Sequence, residues 1–483
     1  MHAAEKFGMR LAQIAVVATM LGACSMAPRL ELPQVPTAAS FKESAPWTSA
    51  TPGDTLPRDA WWRLYGDDQL DRLQQRLIAN SPDLAAALAR YDQAVAFSAQ
   101  LRSDLFPTVA IQGQAQRGRQ SATNPPSGTS IARHYESYVV AAQASYELDL
   151  WGRVRNNVRA GRLNAEAAAA DLESARLSLL AQLADDYIAL RGLDQEAELL
   201  NETVNAYERA LSLTQERYRA GIVSGLDVSR AQTQLDAARS QVAQTFAQRA
   251  TLEHAIAVLV GASPSEFSIE PNIAALSMPT IPVSMPAELL QRRPDIASAQ
   301  RQTAAANASV GVARAAWFPS IALNGSYGFA SNASADWLTA PNAAWAIGPS
   351  LLVELFDAGR RRARVDQAMA ILEEAGANYR ATVLTAFQQV EDNLALMNHF
   401  GIAAESERAA ASSAEKSLEY AQNRYKEGAA SYLEVVESQT MALTAQRAAL
   451  DLETRRLRAS VALIRALGGG WSQEQLSAAS GTR

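Results

Sequence analysis

From Gly152 to about Tyr218 the chain has no proline, and its apolar side chains recur every seven residues. Leu172, Leu179, Leu193 and Leu200 lie in one register, interrupted by Asp186. Leu183, Leu190, Ala197, Val204 and Leu211 lie in a second, four residues on. Sustained heptads with small residues between them predict a helix that packs coiled-coil fashion on more than one side. About 65 residues at 1.5 Å each give a helix about 100 Å long. A matching stretch runs from Gly359 to about Lys426. The two stretches end at Gly221 and Gly428, residues that permit a tight turn at positive φ. Return helices are predicted to start near Asp227 and Glu434 and to end near Gly261 and Gly468.

Ahead of each long helix the period switches to two. Residues 66–105 predict one helix ending before Pro107. Val109, Ile111, Gly113 and Ala115 then alternate with Thr108, Gln112 and Gln114. After a Pro-, Gly- and Ser-rich loop from Arg117 to His134, Tyr138, Val140, Ala142, Ala144, Tyr146 and Leu148 alternate with Ser137, Gln143, Ser145 and Glu147. Further on, Ile321, Leu323, Tyr327 and Phe329 alternate with Ser320, Asn324 and Ser326, and Trp345, Ile347, Leu351, Val353 and Leu355 with Ser350 and Glu354. Strands of about ten residues, apolar on one face and ending in aromatics, suit a transmembrane β-barrel. A soluble hairpin over a core is the alternative, but the flanking helices are too polar to cover it. Four strands cannot close a barrel, since known ones start at about eight. Open edges in lipid would leave backbone groups unpaired. The barrel must therefore be shared between chains.

The chain is written twice. Pro82-Asp83-Leu84-Ala85 recurs as Pro294-Asp295-Ile296-Ala297, and Phe106-Pro107 as Phe318-Pro319, both at an offset of 212. Gly152-Arg153 recurs as Gly359-Arg360, and Arg217-Tyr218 with Gly221 as Arg424-Tyr425 with Gly428, at 207. A single five-residue indel between Pro107 and Gly152 accounts for the shift. A period this long means two structural copies rather than a solenoid. The predicted divisions are 61–261 for the first copy, with a membrane hairpin at about 108–149, and 286–468 for the second, with its hairpin at about 320–356. Residues 262–285, carrying Pro264, Pro271, Pro279 and Pro282, form a linker, and 469–483 a tail.

The N-terminus changes the picture by adding an address. Lys6 and Arg10 precede an apolar run from Leu11 to Met20, too short for a stable span, and Leu21-Gly22-Ala23-Cys24 follows. This reads as a signal peptide, 1–23, with a lipobox at Cys24; the plainer reading is a signal that merely contains a cysteine. Residues 24–60, with six prolines, predict an extended strap. Cys24 is the one cysteine of 483 residues, so no intrachain disulfide forms. With 44 basic and 50 acidic residues and no dominant basic patch, nucleic acid is excluded as a partner. His2, His134, His254 and His399 are scattered, without metal-ligand spacing. No phosphate loop or nucleophile elbow occurs. The chain is predicted to be no enzyme, with no cofactor beyond a covalent lipid.

Trp61-Trp62-Arg63-Leu64-Tyr65-Gly66-Asp67 with Leu70 and Leu73, Leu289-Leu290-Gln291-Arg292-Arg293-Pro294-Asp295-Ile296, Trp317-Phe318-Pro319-Ser320 and Phe356-Asp357-Ala358-Gly359-Arg360-Arg361 carry a resemblance. Together they resemble the TolC-like outer-membrane efflux family, in its lipoprotein branch. The resemblance implies an α+β fold: a trimeric 12-stranded β-barrel, four strands per chain, continuous with a long periplasmic α-helical barrel. It implies a homotrimer, a periplasmic adaptor and a proton-driven inner-membrane pump. It also implies a lipid-anchored place in the outer membrane of a Gram-negative bacterium and a passive exit duct for drugs or other small toxic solutes. Ser25 after the cysteine agrees with outer-membrane sorting.

The resemblance assigns adaptor contacts to the tips, Gly221-Ile222-Val223-Ser224 and Gly428-Ala429-Ala430-Ser431. It assigns a periplasmic gate to Glu434 and Glu437, two rings of three carboxylates in a trimer. Residues alone leave these as a solvated helix face. Asp227 and Tyr425 match a family pair whose hydrogen bond holds the tip shut, so Asp227→Ala is expected to raise leak. Ala430 stands where a further latch would need arginine. A type I secretion duct and a non-conducting periplasmic scaffold lipoprotein are the alternative functions. The lipobox has its own test: Cys24→Ala is expected to abolish incorporation of labelled palmitate in cells, and incorporation that persists would remove it.

Overall fold

The structure, a computed structural model, describes residues 25–36, 38, 40–43, 60–119, 121, 134–281 and 292–469. Cys24, the predicted signal peptide and Leu289-Leu290-Gln291 lie outside these residues. A short 3-10 turn at Trp61–Tyr65 precedes α1 (Asp68–Asn80) and α2 (Pro82–Ser103). Strands β1 (Thr108–Arg119) and β2 (His134–Glu147) follow, then α3 (Arg153–Arg219) and α4 (Gly225–Leu259). The second half runs α5 (Pro294–Ala315), β3 (Ser320–Ser331), β4 (Ala343–Leu352), α6 (Arg360–Lys426) and α7 (Tyr432–Ala466). The duplication is carried into the coordinates. Helices α3 and α6 have 67 residues each and α4 and α7 35 each, all offset by 207. Helices α2 and α5, 22 residues each, are offset by 212. The indel therefore falls in the β-hairpin connections, where added length disturbs little.

Three sequence expectations are corrected. Residues 66–105 are two helices, because Ser81 before Pro82 is extended (ψ 121°) and proline starts α2 at its first turn. Strand β1 runs on to Arg119, three residues into the expected loop. Strand β4 ends at Leu352, short of Val353 and Leu355. Beyond it Glu354 pairs with Arg360 at 2.6 Å and Asp357 with Arg361 at 2.6 Å, so this segment serves the start of α6 instead.

The described residues divide into two compact units. The first comprises residues up to 33, 92–167 and 299–379. Its sheet is antiparallel in the order β1-β2-β3-β4. The register places Ile111, Ala142, Tyr327 and Trp345 in one row and Val109, Ala144, Gly325 and Ile347 in the next. Among the described residues these apolar rows have no covering layer: Ile111 is 79% exposed and Trp345 73%. The opposite face is polar and bonded to itself. Gln143 Nε2 donates to Gln112 Oε1 (2.7 Å), Ser145 Oγ to Asn324 Oδ1 (3.0 Å) and Asn324 Nδ2 to Ser350 Oγ (2.9 Å). Where strands become helices, Trp151 stacks on Phe318 (4.7 Å) and Arg361 lies over Trp317 (5.1 Å). Residues 25–33 run beside these helices without a core of their own. Ser25 Oγ donates to Asn156 Oδ1 (3.0 Å), Asn307 Nδ2 to the Pro28 carbonyl (2.9 Å), and Leu30 packs on Leu163, Ala304 and Ala305.

The second unit comprises residues 34–91, 168–298 and those from 380 on. Its core joins Trp61, Tyr65, Leu70 and Leu77 to Leu183, Tyr187 and Leu190 of α3, Ile256 of α4, Leu394 of α6 and Leu463 and Ile464 of α7. Of the two heptad registers, the one at Leu183, Leu190, Ala197 and Leu211 is buried, with Val204 partly so, whereas in the other Leu172, Leu179 and Leu193 are half-exposed and Leu200 alone of its leucines is buried. Gly66 (φ 69°) ends the first turn, and Asp67 caps α1 by accepting from the backbone of Gln69 and Leu70. The same carboxylate pairs with buried Arg191, which donates to the Asn272 and Ala274 carbonyls at 2.6 and 2.7 Å. Arg249 pairs with Asp194 at 2.6 Å and donates to the Ile269 carbonyl, and Asp194 accepts from Asn272 N at 3.0 Å. Two buried arginines thus staple the proline-bearing segment after α4 to the helices. Each satisfies carbonyls that no regular ladder could reach.

Removing one partner of a buried pair strands the other charge. Asp194→Ala is expected to destabilise the purified protein by about 3–5 kcal/mol, read as a lower thermal midpoint. A midpoint within error of wild type would show that the staple contributes nothing.

Candidate functional site: the two hairpin turns

Helices α3 and α4, and likewise α6 and α7, are joined by turns of the same construction, both in the second unit. A methyl group added at Gly221 (φ 73°) or at Gly428 (φ 78°) would meet nothing within 4 Å, so backbone conformation rather than space calls for glycine. Gly221 N donates to the Tyr218 carbonyl (2.9 Å) and Ile222 N to the Arg217 carbonyl (2.9 Å). Gly428 N and Ala429 N repeat this with Tyr425 (3.1 Å) and Arg424 (2.8 Å). This is the Schellman arrangement, which uses the last orphan carbonyls of the helix.

Behind the turns lies a small core of Tyr207, Leu211, Ala231, Leu235, Ala421, Tyr425, Tyr432 and Val435, flanked by Val223. Tyr425 and Tyr432 pack at 5.3 Å. Burial, followed by the nearby Tyr425, Tyr207 and Asp227, pushes the Tyr432 hydroxyl up to about 12, and burial does the same for Tyr207. Both stay neutral at physiological pH. Arg217 clamps the two hairpins together, donating to the Tyr425 carbonyl at 2.6 Å and lying 4.7 Å over its ring. Outside this core the turns are open: Gly221, Ile222, Ser224, Gly428, Ala429 and Ser431 are exposed, and Val223 and Ala430 partly so.

The expected bond between Asp227 and Tyr425 is not made. Asp227 turns back on its own helix start, accepting from Ser224 N (3.2 Å) and Ser224 Oγ (3.0 Å), with Arg230 at 3.7 Å. Its short side chain is thereby used up three residues from the cap. The buried Tyr425 hydroxyl has no hydrogen-bond partner among the described residues. Glu434 pairs with Arg424 at 3.1 Å, and Glu437, one turn on, is exposed. Arg217 and Arg424 were not singled out from the sequence as site residues. The signal was present, since both precede the tyrosine of the repeated Arg-Tyr pair. Among the described residues no helix is long and apolar enough to cross a membrane, and no three His, Cys, Asp or Glu side chains gather as for a metal.

Residues 73–262 and 285–469 match the outer membrane efflux protein family. The chain belongs to that family. It is 31% identical over 469 residues to a probable efflux pump outer membrane protein, TtgC, of Pseudomonas putida, with 96% of each chain covered. It is 32% identical to OprJ, an outer membrane protein of Pseudomonas aeruginosa, covering 95% of each. Among solved structures it superposes on the outer-membrane channel OprN with TM-score 0.87 at 30% identity, covering 93% of this chain and all of that one. With the Campylobacter jejuni CmeC channel the TM-score is 0.89 at 25% identity, covering 95% and 98%. As an outer membrane efflux protein, this chain is a non-enzymatic outer-membrane component of an efflux system. Its fold is the family's helical barrel plus β domain.

The turn geometry yields a prediction. An alanine at either glycine must hold positive φ, costing about 1 kcal/mol without a clash. Gly221→Ala and Gly428→Ala are expected to keep the fold and to speed hydrogen exchange only at the last turn of α3 or α6. Exchange unchanged there would mean that the glycines are not what holds the turn.

Proposed function

We propose that three copies of this chain form a lipid-anchored duct through the outer membrane. A periplasmic adaptor would open it at the hairpin turns, and an inner-membrane pump would feed it with small solutes. The observation that carries this reading is the four-stranded sheet, polar on one face and apolar on the other, where among the described residues the apolar face is uncovered and β1 and β4 are both unpaired at their outer edges. In hydrocarbon each unpaired edge group costs several kcal/mol. A neighbouring copy satisfies both edges at once, β4 of one against β1 of the next. Three copies give 12 strands, an even number within the range of bacterial barrels. The Gln112, Gln143, Ser145, Asn324 and Ser350 side chains would then line the water-filled interior.

The exposed turns, Gly221 to Ser224 and Gly428 to Ser431, fit the adaptor role by their small side chains and open backbone. Glu434 and Glu437 fit a gate of paired carboxylate rings, which favour cations. Asp227 and Tyr425 belong to the same end of the hairpins without bonding to each other, so a latch through them would need a rearranged turn or a second copy. The cargo class follows from the relatives. A second TtgC of Pseudomonas putida is a toluene efflux pump outer membrane protein, ArpC an antibiotic efflux protein and OpmQ a pyoverdine export protein. Small organic solutes are the common denominator, and a protein-secretion duct gains no support from them. Lipidation of Cys24 adds the anchor.

Single-channel recording of the purified protein in a planar bilayer tests the reading. Wild type is expected to show small cation-selective currents, and Glu434→Ala with Glu437→Ala larger or less selective ones. Equal currents would move the gate elsewhere, and absence of conductance in both would favour a scaffold.

A further inference from the structure

The two hairpins are copies, yet they use the acidic residue at the third position of the return helix differently. Asp227 closes on Ser224 at the start of α4. The repeat-related residue in α7 is Glu434, and Ser431 at that helix start receives no side-chain cap. Glu434 reaches across the turn instead, where Arg424 Nη1 donates to its Oε2 at 3.1 Å. The same guanidinium donates from Nη2 to the Ala429 carbonyl at 3.2 Å, and Ala429 N donates back to the Arg424 carbonyl at 2.8 Å. One planar fork therefore holds a gate carboxylate with one prong and the apex of the exposed turn with the other. Its counterpart Arg217 does neither, being spent on the Tyr425 carbonyl and ring.

We propose that Arg424 is the counter-charge of the acidic constriction and couples it to the turn. In the turn conformation described, Arg424 neutralises Glu434, so that Glu437 alone sets the charge seen by a passing ion. Movement of the Ala429 carbonyl loosens the fork and uncovers Glu434, doubling the carboxylates presented to the lumen. Both partners of the pair are about half exposed, at 57% and 44% of their side chains, which suits a contact that a protein binding at the turn can break. The inference rests on the gate reading of Glu434 and Glu437 given above. Arg424 is a positioning residue, acting on permeant ions through Glu434.

The test is the reversal potential of the full-length protein in a planar bilayer under a potassium chloride gradient. Three variants are compared: Glu437→Gln, Arg424→Gln, and the exchange Arg424→Glu with Glu434→Arg. Glu437→Gln is expected to lower the cation-to-anion permeability ratio. Arg424→Gln is expected to raise it by at least about twofold, because a carboxylate is freed in a confined cleft. The exchange is expected to return it to wild type, which a merely structural role would not do. A silent Glu437→Gln overturns the gate reading, and this inference with it. If Glu437→Gln acts while Arg424→Gln leaves the ratio at wild type, the gate stands and the counter-charge role falls. The same holds if the exchange assembles normally and fails to restore the ratio. Should the exchange not assemble, Arg424→Gln decides alone.

Discussion

Every backbone N–H and C=O removed from water needs a partner, and this requirement organises both halves of the fold. In the sheet it makes β1 and β4 incomplete as they stand, since among the described residues each has a neighbour on one side alone. In the helices it appears at the ends. Gly221, Gly261, Gly428 and Gly468 all take positive φ, and each initiates the reverse bonds that use the final carbonyls. Between the helices it appears as arginine. Where residues 262–281 have no ladder, Arg191 and Arg249 supply the donors, and Asp67 and Asp194 keep their charges matched. A chain with one cysteine has no disulfide to pin such a segment, and buried ion pairs with carbonyl contacts hold it instead.

Duplication explains the economy of the design and also its departures. Repeat-related residues begin with the same geometry, as the matched helices and the paired turns show. They then diverge where only one copy is needed for a task. Arg217 and Arg424 stand at the same point of the two long helices, yet one binds hairpin to hairpin and the other binds turn to acid. Asp227 and Glu434 differ by one methylene. That extra length lets Glu434 leave its own helix start and cross to Arg424, while Asp227 remains with Ser224. A family whose role is passage rather than chemistry has little use for a pocket of converging catalytic groups. It needs walls of the right polarity.

The sheet shows the same logic of faces. One face offers Ile111, Tyr327 and Trp345 to an apolar medium, and the other ties its amides and hydroxyls to one another across strands. Self-bonded polar side chains without net charge offer a solute little to hold.

Periodicity determined much of this from sequence alone. Heptads marked the 67-residue helices to within about a residue or two, alternation marked all four strands and their two faces, and the offset of 207 announced the repeat. Those signals are local and repetitive, so they survive without knowledge of any distant contact. Side-chain partners are another matter, because they depend on which rotamer a crowded neighbourhood permits. The break at Ser81 and the early end of β4 turned on Pro82 and on the Glu354–Arg360 pair. The bond expected between Asp227 and Tyr425 gave way to a nearer competitor, Ser224. Arg424 stood out in the sequence as part of the repeated Arg-Tyr pair and not as a site residue, since an arginine near a helix end is ordinary. Only the folded turn, bringing Arg424 back against the start of α7, decided that its guanidinium meets both Ala429 and Glu434.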